Sequence, residues 1–119
     1  MKLKFINLIL IFYFLTITFS TNANYLDGLS AFKEQNYNLA FKNWSESAED
    51  DPLSQFYLGY LYQRGFGVDI DYDQAFKMFR KASDNGLLEG HFSLALSYYK
   101  GLGVEKNDRL AFKYFNLSK

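Results

Sequence analysis

Few residues in this chain are of a type that could carry chemistry, and their spacing argues for structural roles. His91 is the single histidine among 119 residues, and there is no cysteine. Thiolate metal sites, thiol nucleophiles and a lipid on an N-terminal cysteine are thereby excluded. A serine or zinc mechanism would have no second imidazole and no Ser-centred nucleophile motif to draw on. Asp69-Ile70-Asp71-Tyr72-Asp73 opens like a calcium loop, but such a loop needs Gly at its sixth place and Glu at its twelfth. This chain has Gln74 and Arg80 there. Gly65-Phe66-Gly67 follows a helix and lacks the third glycine and the lysine of a phosphate cradle. Asn43-Trp44-Ser45 and Asn116-Leu117-Ser118 match the glycosylation acceptor pattern, which is idle in most bacteria. No catalytic, cofactor-binding or metal-ligating residue is expected.

What the chain does show is repetition. Phe56, Leu58, Tyr62, Gly65, Gly67, Val68, Ala75, Phe76 and Phe79 recur 36 residues later as Phe92, Leu94, Tyr98, Gly101, Gly103, Val104, Ala111, Phe112 and Phe115. A fixed period of this size marks stacked supersecondary units. Under this repeat His91 stands where the preceding copy has Gln55, a polar structural place.

The apolar spacing predicts helices over about 25–35, 37–49, 52–64, 71–84, 89–100 and from 107 to the chain end. Asn36 is expected to break the first, Pro52 to open the third, and the Gly65 and Gly101 loops to end the third and fifth. Asp71 with Gln74 has capping-box spacing, and Asn107 holds the equivalent place. No strand-like alternation competes. The expected fold is all-α: an α-α superhelix, or solenoid, of antiparallel helix pairs, about three in number. Gly59 and Ala95, with Ala40, Ala75 and Ala111, are the small residues that close helix crossings require. Phe79, Phe115 and Trp44 would fill the grooves between pairs.

The start of the chain has a different character. Lys2 and Lys4 precede an almost wholly apolar run from Phe5 to Phe19, and Thr21-Asn22-Ala23 puts small residues where a signal peptidase reads. This predicts a secretory signal over 1–23, cleaved after Ala23. The run is shorter than the roughly 20 residues that span a bilayer, so membrane contact is expected only before cleavage. Residues 24–119 carry 11 basic against 13 acidic side chains, net −2. The charges are interspersed, which argues against nucleic acid as a partner. Without disulfides, so small an exported domain must be held by packing, and 13 Phe, 10 Tyr and 1 Trp supply the buried area. Export from a bacterium, to the periplasm or beyond, is the expected location.

Leu58-Gly59, Leu61-Tyr62, Gly65-x-Gly67-Val68, Asp71, Ala75, Phe79, Lys81-Ala82 and Gly86 resemble the Sel-one-like repeat family, relatives of the tetratricopeptide repeats. A second copy runs through Leu94-Ala95, Tyr98, Gly101-x-Gly103-Val104, Asn107, Ala111 and Phe115. The resemblance divides the chain into a tetratricopeptide-like pair over 24–51, a first repeat over 52–87 and a second, C-terminally incomplete, over 88–119. It departs from the pattern at Ala95 and Ser97 and at the close after Phe115. The last helix therefore lacks a covering neighbour, and Phe112, Tyr114 and Phe115 are expected to be partly exposed, with self-association through that helix as one outcome.

The resemblance implies a non-catalytic, protein-binding adaptor of the bacterial envelope. A secreted effector or host-contact protein is the alternative, and a cell-wall or β-lactam-related enzyme a weaker one. On a concave face lined by the first helices of each pair, the positions left over from the core are Tyr57, Tyr60, Gln63, Arg64, Ser93, Leu96, Tyr99 and Lys100. These would suit an extended or acidic peptide. If Gly59 lies at a helix crossing, Gly59→Leu should destabilise the fold by about 1–3 kcal/mol through overpacking. An unchanged melting temperature for that variant would remove the crossing.

Overall fold

The computed structural model describes the backbone of residues 2–119 and the side chains of residues 4–15 and 23–119. Thr21 and Asn22 of the expected cleavage site lie outside the described side chains. Six α-helices and no strand occur among the described residues: α1 Lys2–Lys33, α2 Tyr37–Ser47, α3 Pro52–Arg64, α4 Tyr72–Asp84, α5 Leu88–Lys100 and α6 Asp108–Leu117. They pack as pairs α1/α2, α3/α4 and α5/α6, and α2 on α3 and α4 on α5 join one pair to the next.

The first helix is longer than its apolar spacing predicts, because α1 continues upstream through the apolar segment. The described side chains there are exposed, from Leu10 at 51% to Phe12 and Phe14 at 71%, and contribute nothing to the core. Among the described residues no helix is long and apolar enough to cross a membrane. Asn36 does not break α1. It caps α2, its side chain accepting from the Leu39 N–H at 3.3 Å. The reversal is made by Gln35, which adopts φ 60°.

The caps repeat with the sequence. Asp51, Asp71 and Asn107 each accept from the N–H three residues on, at 2.8, 3.0 and 3.0 Å. At Asp71 only half of the anticipated box is used. Its own N–H donates to the Tyr62 carbonyl at 3.0 Å, and Asn107 N–H donates to Tyr98 in the same way at 2.9 Å. The loop is thereby tied to the helix it leaves, and the Gln74 side chain is not needed.

Two buried clusters hold the pairs together. Ala31, Ala40 and Trp44 of the first pair meet Leu61 of the second. Ala75 and Phe79 of the second meet Leu94 of the third. A side chain at Gly59 would run into the Phe79 ring at 2.7 Å, so the glycine is where α3 crosses α4. Ala95 is fully buried at the matching place in α5. Gly28 does the same work against Trp44, and the repeat alignment had not picked it out. Gly28 precedes Trp44 by 16 residues and Gly59 precedes Phe79 by 20, because the first pair's loop is four residues shorter.

A second contact recurs between pairs. Phe41 meets Tyr62 edge-on at 5.5 Å and 86°, and Phe76 meets Tyr98 at 5.5 Å and 87°. Beside each of these, the second glycine of a loop lies against the backbone of the preceding pair. Gly67 sits on Tyr37 and Asn38, Gly103 on Tyr72 and Asp73, both in the first turn of the second helix.

Gly103 has φ 68° and leaves no room for a Cβ beside the Tyr72 carbonyl, whereas Gly86 has φ 83° and open space around it. Both Gly86→Ala and Gly103→Ala should bear a left-handed backbone penalty of about 1–2 kcal/mol. Only Gly103→Ala must also push two helix pairs apart, so its urea midpoint should fall further. Equal midpoints for the two variants would show that the glycine contact does not set the spacing.

Candidate functional site

Where α3 and α5 lie side by side on the same face of the array, they border an open groove of about 510 Å³. α3 contributes Phe56, Tyr60, Gln63 and Arg64, and α5 contributes Leu88, Glu89, Phe92, Ser93 and Leu96, with Phe79 and Ser118 also on its walls. The spacing explains the assembly. Residues three and four apart share one helical face, and one such stripe from each helix meets here. Leu88 and Phe92 are about half exposed, at 50% and 48%. The Arg64 guanidinium lies 5.5 Å from the centre of the Tyr60 ring. Neither Arg64 nor Glu89 joins the one ion pair found among the described residues, Lys106–Asp108 at 3.9 Å.

Five of the eight residues singled out in the sequence therefore come together: Tyr60, Gln63, Arg64, Ser93 and Leu96. Tyr57 does not join them. Its ring stacks on Trp44 at 4.8 Å and 18°, packed against the first cluster. Tyr99 and Lys100 are exposed but are not on the groove. They are the repeat counterparts of Gln63 and Arg64, so they face the side where a next pair would stand. The Lys106 ammonium sits 5.7 Å from the Tyr99 ring. Sequence reasoning passed over Phe56 and Phe92 as core positions, because an apolar residue on a helix gives no sign that its neighbour is a groove, and it left Leu88 ahead of a helix expected from 89 that in fact begins at Leu88.

The residues considered for chemistry have structural partners. Asp71 caps α4, and among the described residues no group of His, Cys, Asp and Glu could hold a metal ion. His91 Nδ1 lies 2.6 Å from Ser83 Oγ. Ser83 is only 4% exposed, which puts its hydroxyl out of a substrate's reach. In the preceding repeat the counterpart Gln55 has a similar role, donating to the Ala48 carbonyl at 2.7 Å and accepting from Asn85 at 3.1 Å. Each side chain ties the start of one pair to the end of the pair before it.

Antiparallel helix pairs stacked through a recurring aromatic contact and a glycine-backed loop define an α-α solenoid of the helical-repeat class. This chain belongs to the Sel1 repeat family, whose model matches residues 23–51, 52–87 and 88–118. A crystal structure of a Sel1 repeat protein from Oxalobacter formigenes is similar with a TM-score of 0.75 and 32% identity, over 80% of this chain and 38% of that one. A protective antigen present in uropathogenic Escherichia coli strains, displaying an SLR fold, gives a TM-score of 0.80 at 28% identity, over 82% of this chain and 22% of that one. The ERAD-associated E3 ubiquitin-protein ligase component HRD3B of Arabidopsis thaliana is 48% identical over 55 residues, 45% of this chain and 9% of that protein. The chain thus spans well under half the length of each.

If His91 is a tie between pairs, Gln, the residue of the preceding repeat, should replace it with a loss under about 1 kcal/mol. His91→Ala should lose about 1–3 kcal/mol by leaving Ser83 without its partner. Equal urea midpoints for His91→Gln and His91→Ala would rule out this role.

Proposed function

We propose that the chain is a non-catalytic adaptor that holds a protein partner by an extended peptide segment laid along the groove between α3 and α5. The observation that carries this is the meeting of half-exposed Leu88 and Phe92 with Tyr60, Leu96 and Arg64 in one open groove. Apolar side chains of a partner would fill the floor, with an acidic residue beside Arg64 and a basic one beside Glu89. Tyr and Arg are the residues most enriched where interfaces draw their affinity. The Arabidopsis relative is by name a component of a ubiquitin-protein ligase, and membership of an assembly is consistent with a binding role.

Export belongs to this reading: Lys2, Lys4 and the apolar run that follows act as a secretory signal removed after Ala23, and the adaptor works in the bacterial envelope. A second reading, action outside the producing cell, is favoured by the description of the uropathogenic relative as a protective antigen.

Cross-linked affinity capture from the native envelope, with wild-type and Tyr60→Ser/Leu96→Ser chains, tests the groove. The double variant should keep its helical circular dichroism and bind the captured protein about 2 kcal/mol, or roughly thirtyfold, more weakly. Tyr99→Ser, off the groove, should bind like the wild type. A folded double variant with unchanged affinity would sink the groove as the binding site. Mass spectrometry of the exported protein should find Asn24 at its N-terminus, and an intact Met1 would refute cleavage.

A further inference from the structure

The two junctions between pairs follow one plan, and the second lacks two of the rings that fill the first. At the first junction four aromatic side chains stand in a row. Tyr25 lies 6.1 Å from Tyr57, Tyr57 stacks on Trp44 at 4.8 Å, and Trp44 meets Phe32 at 5.8 Å. Tyr25 and Phe32 precede Phe56 and Gln63 by 31 residues, as Gly28 precedes Gly59. Trp44 precedes Phe79 by 35 residues, and Tyr57 precedes Ser93 by 36. The second junction therefore has Phe56, Ser93, Phe79 and Gln63 in these places, and all four line the groove between α3 and α5.

Four rings have become two rings, a hydroxyl and an amide. The room that the Tyr57 ring takes at the first junction has no side chain of that size to fill it at the second, because Ser93 stands there. Phe56 and Ser93 are partly exposed on this hollow, whereas Phe79, 1% exposed, is reached only at its edge. Charged groups stand on either side of it. Arg64 is the counterpart of Lys100, seven residues beyond Ser93, and Glu89 lies four residues before Ser93. Along the helices these separations are about 10 Å and about 6 Å. In an extended peptide they correspond to about three residues and about two.

We infer that the groove selects a segment that brings its own ring: a tyrosine seated beside Ser93, as Tyr57 is seated at the first junction. A carboxylate three residues from that tyrosine meets Arg64, and a basic residue two away on the other side meets Glu89. This rests on the reading of the groove as a peptide site and names what the peptide must carry. The chain itself shows what the place accepts, a flat ring against aromatic neighbours, and such pairs contribute beyond the area they bury. The Ser93 hydroxyl and the Gln63 amide at its border suit a phenol, whose hydroxyl needs a partner when buried.

The probes are two capped hexapeptides, Lys-Ala-Tyr-Ala-Ala-Asp and the same residues in reverse order, because the groove is open to either chain direction. Each is titrated into the isotope-labelled full chain and followed by amide chemical shifts. One order should bind, and replacing its tyrosine by alanine should weaken it by about tenfold or more. Ser93→Tyr restores the missing ring. It should keep or raise the urea midpoint and weaken the tyrosine peptide by about tenfold or more. Gln63→Phe restores the other ring and should weaken binding in the same direction, which keeps the test open if Ser93→Tyr does not fold. Wild-type affinity in a folded Ser93→Tyr or Gln63→Phe chain would overturn the inference. So would equal binding of the tyrosine and alanine peptides, or no binding of either order at millimolar concentration. Capture from the native envelope separates this inference from the reading beneath it. Capture lost with Tyr60→Ser/Leu96→Ser but kept with Ser93→Tyr would leave the peptide groove and remove the tyrosine place. Capture kept with both would remove the groove as well.

Discussion

The architecture depends on how closely one loop can approach the backbone of the pair before it. Gly67 and Gly103 lie against the first turns of α2 and α4 with no space for a side chain. Everything lateral to that approach is then set: the edge-on meeting of Phe41 with Tyr62 and Phe76 with Tyr98, and the depth to which Leu61 and Leu94 enter the preceding pair. Because the glycine contact is between backbones, it is indifferent to which side chains follow. The chain can therefore vary its cores, with Trp44 in one junction and Phe79 in the next, and hold the same spacing between pairs. In most small domains, core packing determines where the backbones lie. Here the backbone contact comes first, and the aromatic content fills what it leaves.

The groove between α3 and α5 is a consequence of that spacing. Gly59 and Ala95 bring each first helix close to its own partner. Between α3 and α5 the side chains border an open groove, with Phe79 among its lining residues. Tyr60, Leu88, Phe92 and Leu96 are apolar because they belong to a repeat, yet they are left in contact with water because the repeat does not close over them. The open apolar surface on this face thus comes from the fold itself. Under the proposed peptide-binding role, specificity would rest on the few polar positions, Gln63, Arg64, Glu89 and Ser93.

Much of this was legible in the sequence, for a stated reason. A period of 36 residues aligns positions that share an environment, so one copy interprets the other: Gln55 explains His91, and Asp71 explains Asn107. The all-α solenoid, its helix boundaries after α1 and the crossing at Gly59 follow from that alignment. The alignment fails where the copies differ in length. The first pair's short loop shifts its two helices by different offsets, which hid Gly28, and a left-handed Gln35 made the turn attributed to Asn36. Tyr57 was misplaced because Ser93, its counterpart, has no large ring, and only the stacking on Trp44 shows which way the side chain goes. The open groove was half legible. Periodicity tells which residues share a face, but not whether two neighbouring faces touch.

The single tryptophan adds a spectroscopic consequence. Trp44 is fully buried, its ring stacked on Tyr57 and its Nε1 donating to the Tyr25 carbonyl at 3.2 Å. Its emission therefore reports the junction between the first and second pairs and nothing beyond it. In a linear array each pair depends only on its neighbours, so fraying from the α6 end would pass unseen in fluorescence while helical ellipticity fell. The separation between those two signals on heating measures how far the three pairs melt as one body.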